Sequence, residues 1–347
     1  MSIPYRARRN LRRFLMTVLA LFLFLSLALL CWLLWLNRYV IYTDEGAKLD
    51  FGLSVQYAPG VVPVEPEPYP TVTVYDKTED PQDPDTPVSN ELQQFSGYYV
   101  TLDRLKENFD TVRDQLAALQ EGSTVMLELK DPGSYVYYTS EVAEEEPDFD
   151  IARMDQLLAA LREKGHYVIA RIPAFQEREY ILADERERFE YGLEYYKGGS
   201  LWWDAEFSCY WMNPANDGTL AYLIQLVTEL RNMGFDEVVF SDFRFPRTEK
   251  IRFEGDKTEA LTDAAAVLVK ACATDTFCVS FTRATADLEL PEGRTRLYLT
   301  DVSAADADTA AENSGLANPQ AQVVFLTEMS DTRYEAFSVL RPLDTAH

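Results

Sequence analysis

Charged side chains appear where apolar runs end. FSDFRFP (240–246) sets Asp242 and Arg244 just past VVF, VMLELKD (125–131) carries Glu128, Lys130 and Asp131, and YVIARI (167–172) carries Arg171. Asp301 follows RLYLT (296–300), and Glu328 follows QVVFL (322–326). Carboxylates flanked by guanidiniums at strand ends can act as nucleophile, base or acid, which is the chemistry of glycosidic bond hydrolysis. The same residues could instead form an ion-pair network that closes one end of a domain. The chain holds only two histidines, His166 before a strand and His347 at the last position. That excludes a Ser-His-Asp triad, a His-based zinc site and a Cys-His pair. There is no phosphate-binding glycine motif, and the pattern calls for no metal and no cofactor.

A second group is aromatic. Residues 173–216 include FEYGLEYYKGGSLWWDAEFSCYW, with Trp202, Trp203 and Trp211. Aromatic faces stack on the C–H faces of sugar rings, so a loop of this kind above charged strand tips points to carbohydrate. A hydrophobic cover packed on the domain is the competing reading.

The elements that must position these groups alternate. A strand over 98–102 precedes a helix whose Leu105, Phe109, Val112, Leu116 and Leu119 recur at helical spacing up to Gly122. Further strands are read at 125–129, 167–172, 237–243, 278–282, 296–300, 322–326 and 337–340, with helical patterns at 151–161, 220–230 and 257–273. Seven or eight strand–helix units over residues 97–347 predict an α/β fold, a (β/α)8 TIM-like barrel degenerate toward its C-terminal end, with an open doubly wound sheet as the alternative because the last helices are short and the eighth strand weak. Strand alternation then predicts Glu128, Lys130, Arg171, Phe240, Asp242 and Arg244 pointing inward and Val239 packing on helices; one bulge would exchange Ser241 for Asp242.

Ahead of the barrel, Arg6, Arg8, Arg9, Arg12 and Arg13 precede an uncharged apolar run from 14 to 36, followed by Arg38. That run is long enough to span a bilayer, and the arginine bias predicts a cytoplasmic tail (1–13), a transmembrane anchor (14–36) and everything downstream outside the cell membrane. Residues 37–96, rich in proline and acid as in VPVEPEPYP and DKTEDPQDPDTP, predict an extended stalk. A net charge of −25 excludes nucleic acid as a partner. Apart from Cys31 in the apolar run, Cys209, Cys272 and Cys278 leave an odd count; Cys272 and Cys278 could bridge locally outside the cell, but the reading taken is three unlinked small hydrophobes.

GYYVTLDRL, VMLELKD, GHYVIARIPAF, YWMNPAN and GFDEVVFSDFRFP together resemble, in order and spacing, a family of glycoside hydrolase domains. That family is bacterial and often membrane-attached, with a TIM barrel related to the α-amylase type. The similarity runs from residue 97 to about 282. It implies action on polysaccharide, with Lys130, Asp131, Arg171, Arg244 and Pro246 at matching positions. The family's fourth strand reads F-D-Y-x-R-F-P, which sets its Asp at Ser241; Glu128 stands where Asp is usual, and Thr282 closes a fifth strand that often carries Asp. Related surface families resemble F-D-D-Y and W-L-N-P here, which accommodates Asp242 and Asn213.

The sequence therefore predicts a membrane-anchored extracellular barrel acting on polysaccharide or oligosaccharide. Asp242 is the candidate nucleophile or base, and Glu328 or Asp301 the candidate acid. Glu128, Lys130, Asp131, Arg171, Trp202, Trp203, Trp211, Asn213 and Arg244 are the candidate binding residues. Two alternatives stay open: a degenerate barrel that binds envelope glycan without cutting it, and a scaffold whose acidic face docks a basic protein.

Overall fold

The computed structural model describes residues 40–43, 46–49, 92–183, 188–282 and 289–343. The chain divides into a unit through Pro84 and a unit from Asp85 onward. In the first, Val40–Thr43 pairs antiparallel with Gly46–Leu49. The expected cytoplasmic tail, the apolar run 14–36 and most of the expected stalk lie outside the described residues, among which no helix is long and apolar enough to cross a membrane.

The second unit is a closed barrel of eight strands: β1 (Ser96–Val100), β2 (Thr124–Glu128), β3 (Tyr167–Pro173), β4 (Glu237–Ser241), β5 (Cys278–Thr282), β6 (Leu297–Leu299), β7 (Val323–Leu326) and β8 (Ser338–Pro342). Every neighbouring pair is parallel, and β8 closes on β1. Helices α1 (Leu102–Ala117), α2 (Ile151–Glu163), α3 (Asp217–Asn232) and α4 (Lys257–Cys272) follow the first four strands except that a long loop intervenes after β3. α5 (Ala307–Glu312) and α6 (Pro319–Gln322) are short, the degeneracy expected of the C-terminal end. β1 begins two residues earlier than the sequence predicts. Leu102 is instead the first residue of α1, its N–H held by a carboxylate oxygen of Glu128 at 2.8 Å.

Barrel strands bury both faces, so their sequences are near-continuous apolar runs that do not reveal which residue faces which way. Register does reveal it. Met126, Ile169, Val239, Tyr298, Val324 and Leu340 form the interior cluster, while Leu127, Ala170, Val238, Phe240 and Phe281 join the helix-facing core. Arg171, Val239 and Ser280 stand level across β3, β4 and β5. Val239 is thus interior and Phe240 faces helices, which corrects the expected fourth-strand orientation. An apolar VVF carries no alternation from which to assign it.

The end of the barrel where strands begin is sealed by a buried polar network. Glu237 accepts from the hydroxyls of Tyr167, Ser280 and Tyr298 and pairs with Arg296. The Arg296 guanidinium lies over the rings of Phe95 and Tyr167 and also donates to the Ala321 and Gln93 carbonyls. His166, beside β3 at this same end, is buried; burial pushes its pKa down. Cys209, Cys272 and Cys278 are buried and free, as read from their odd number.

Candidate active site

The opposite end of the barrel, where β-strands end, holds the charged tips. β2 and β3 run level, with Glu128 opposite Arg171. Their side chains pair, each about one-fifth exposed. Glu128 therefore holds both Arg171 and the first turn of α1; the inward orientations expected from sequence would have set Asp242 beside Arg171, but Arg171 pairs with Glu128 and Asp242 with Arg244.

Asp301 and Glu328 are brought together. Both line one cleft of ≈ 810 Å³ at the mouth, with Tyr99, Arg171 and Met329. Asp301 leaves β6 with φ +59°, a left-handed conformation that Asp tolerates better than most residues but that still carries strain. Neither carboxylate has a hydrogen bond or ion pair among the described residues, and the cleft's one lining cation, Arg171, is taken by Glu128. Tyr99 was not singled out from sequence. Burial first, then the charges of Glu328 and Glu128, push its phenol pKa up against the opposing pull of Arg171. It is an O–H donor throughout the neutral range. The only signal for it was its place near the end of β1, since phenols do not stand out in a search for charges.

Asp242 is engaged locally. It follows β4 with φ +49° and pairs with Arg244, Nη2 to Oδ1 at 2.9 Å and Nε at 3.1 Å. Arg244 in turn stacks over Trp211 at 4.7 Å, and the Trp211 indole N–H donates to Asp204 at 2.9 Å. Asp242 is not among the residues lining the Asp301–Glu328 cleft.

Several of the candidate binding residues prove to have local partners. Lys130 is buried, its Nζ 2.8 Å from an equally buried Glu177, so it is engaged inside the protein rather than held out for a ligand as its place among the binding candidates supposed. Asp131 accepts the Tyr135 N–H and the Tyr137 hydroxyl. Asn213 accepts the Ala215 N–H and shapes the turn ahead of α3. Trp211 is fully buried, which corrects its reading as a sugar platform. Trp203 packs edge-on against Tyr210 and, like Trp202, is half-buried, so these two alone of the three keep a face for ligand. Trp211→Ala should lower unfolding free energy by about 3–5 kcal/mol in denaturant titrations, as for large core aromatics. Trp203→Ala should cost no more than about 1–2 kcal/mol; equal losses would mean that both rings are core.

Residues 95–275 match the model of a family described as "Putative glycosyl hydrolase domain". No curated protein matches the chain. Among solved structures, a hypothetical protein from Ruminiclostridium thermocellum is 20% identical, covering 58% of this chain and 96% of its own, with a TM-score of 0.42. An α-galactosidase from Thermus thermophilus in complex with p-nitrophenyl α-D-galactopyranoside is 13% identical, over 74% of this chain and 59% of its own, with a TM-score of 0.49. An exo-β-N-acetylglucosaminidase from Vibrio harveyi in complex with N-acetylglucosamine is 13% identical, over 73% of this chain and 46% of its own, with a TM-score of 0.46. The chain thus spans about half the length of these two enzymes.

Proposed function

The chain belongs to the glycosyl hydrolase domain family whose model covers residues 95–275, and from that premise we propose that its barrel hydrolyses glycosidic bonds, with Asp301 and Glu328 as the reacting pair. The observation that carries this reading is the meeting of two carboxylates, unengaged by any cation among the described residues, in one cleft at the strand-end mouth. Glycoside hydrolysis needs two such groups, one protonating the leaving oxygen and the other attacking the anomeric carbon or activating water. Tyr99 supplies a neutral donor at the cleft floor, and Arg171, fixed by Glu128, supplies a donor whose position does not drift. In this reading Asp242, the nucleophile candidate from sequence, serves with Arg244 to hold the loop beneath Trp211.

The arginine asymmetry about residues 14–36 supports a barrel carried on the outer face of the cell membrane. One experiment addresses both parts. Intact cells producing the chain are given a panel of cell-envelope and plant oligosaccharides, and products are followed by proton NMR. The expected result is cleavage of added glycan by unbroken cells, with a single anomer formed first, which assigns retention or inversion. Cleavage only after lysis would overturn the placement. Glycan binding without cleavage by the purified chain would replace the enzyme with a degenerate binding barrel, the reading that Ser241 and Thr282 favour.

A further inference from the structure

The mouth is charged asymmetrically in a way that selects among glycans. The Asp301–Glu328 cleft adjoins a second cavity of ≈ 360 Å³ that shares Tyr99, Thr101 and Glu328 and runs on to Asp103, Arg104 and Glu107. Along the combined groove, counting Glu128 behind Arg171, carboxylates outnumber guanidiniums five to two among the described residues. Asp103 and Glu107 lie on the exposed first turns of α1. Arg171 lines the cleft with its side chain about one-fifth exposed while it is paired with Glu128. A ligand in the groove thus meets carboxylates in both cavities and the part-exposed, already paired Arg171 at the wall of the larger one.

Resting on the glycosidase reading of this cleft, we propose that the groove takes an oligosaccharide of 2-amino sugars bearing free, protonated amines. A cleft lined by one sign of charge concentrates the opposite charge and repels its own, and the effect is strongest where low-dielectric walls focus the field. Amines on successive residues can meet Asp301 or Glu328 in one cavity and Asp103 or Glu107 in the next. N-acetylation removes that charge while keeping the ring, and a uronate replaces it with one that the groove repels. The overall charge of −25 acts in the same direction at longer range.

The test is calorimetric titration of the purified full-length chain at pH 6, where a sugar amine is protonated, with length-matched oligomers of glucosamine, N-acetylglucosamine and galacturonate. The glucosamine oligomer should bind about tenfold tighter than the acetylated one, and the galacturonate oligomer more weakly than either. At about 1 M salt, where the screening length falls to roughly 3 Å, the preference should shrink to about threefold or less. Replacing Asp103→Asn together with Glu107→Gln should reduce the glucosamine preference severalfold at low salt. Equal or tighter binding of the acetylated oligomer would overturn the amine assignment yet leave the glycosidase reading standing. If none of the three oligomers binds and the panel above yields no product, both fall.

Discussion

Glu328→Gln should reduce glycoside hydrolysis by about 10²–10⁴-fold, the range that a positioned acid or base contributes, while the thermal midpoint barely moves. The two halves of that expectation have separate physical origins. Glutamine is nearly isosteric with glutamate but cannot shuttle a proton or attack carbon. Glu328 has no hydrogen bond or ion pair among the described residues, so its replacement breaks no contact and should change stability by no more than about 0.5 kcal/mol. Asp301→Asn should behave the same way, and the double variant should be little worse than either alone, because groups that act as a unit are not additive. Asp242→Asn should show the opposite pattern. It removes the charge partner of Arg244, whose guanidinium is mostly buried while the Asp242 carboxylate is one-third exposed, so the loss should be about 1 kcal/mol of stability with hydrolysis largely kept. Full activity in Glu328→Gln, or loss of activity in Asp242→Asn at unchanged stability, would return the nucleophile to Asp242.

These two carboxylates were legible in the sequence only as residues that follow apolar runs. Eight such runs separated by helical periodicity were enough to read the barrel, since parallel strands and their covering helices leave strong and different patterns. What the runs could not supply was orientation. In VVFS every residue but the last is apolar, so Val239 inward and Val239 outward look alike until register with Arg171 and Ser280 decides. Reading Asp242 as an inward carboxylate inherited that ambiguity. Burial of the loop residues was hidden for a different reason. Trp211 and Lys130 have partners, Asp204 and Glu177, that reach them only when the loop after β3 folds back, and a spacing argument cannot see a contact made by tertiary packing. Tyr99 was overlooked because an ionisable-group search weights residues charged at neutral pH, whereas its use depends on staying uncharged.

Lys130→Met should destabilise the barrel by about 3–5 kcal/mol near pH 7, and the penalty should shrink as pH falls. The pair it breaks is nearly inaccessible: Lys130 Nζ and Glu177 Oε2 are 2.8 Å apart with side-chain exposures of 1% and 0%. Tyr222 donates its hydroxyl to the same carboxylate at 2.9 Å, and the Arg178 N–H donates at 2.9 Å. Burial by itself would raise the Glu177 pKa, but Lys130, with the Ser134 hydroxyl and the Arg178 backbone N–H, outweighs it and holds the value below that of an ordinary glutamate. In the native protein the pair therefore contributes stability above the unfolded value of about 4.3, and that contribution is lost as pH falls through the lower folded value. Without Lys130 the sign reverses. The buried anion is uncompensated, its folded pKa rises above the unfolded one, and protonation on acidification relieves the strain. Denaturant unfolding of Lys130→Met and of the parent at several pH values between about 4 and 8 should show the two curves converging toward acid. Lys130→Met combined with Glu177→Leu should recover most of the loss, because two apolar side chains leave no buried charge to satisfy. A role for Lys130 in gripping substrate predicts something else: the single variant would keep its stability at every pH and lose glycan affinity. A penalty that stays constant with pH would likewise show that the ammonium is not what keeps Glu177 ionised.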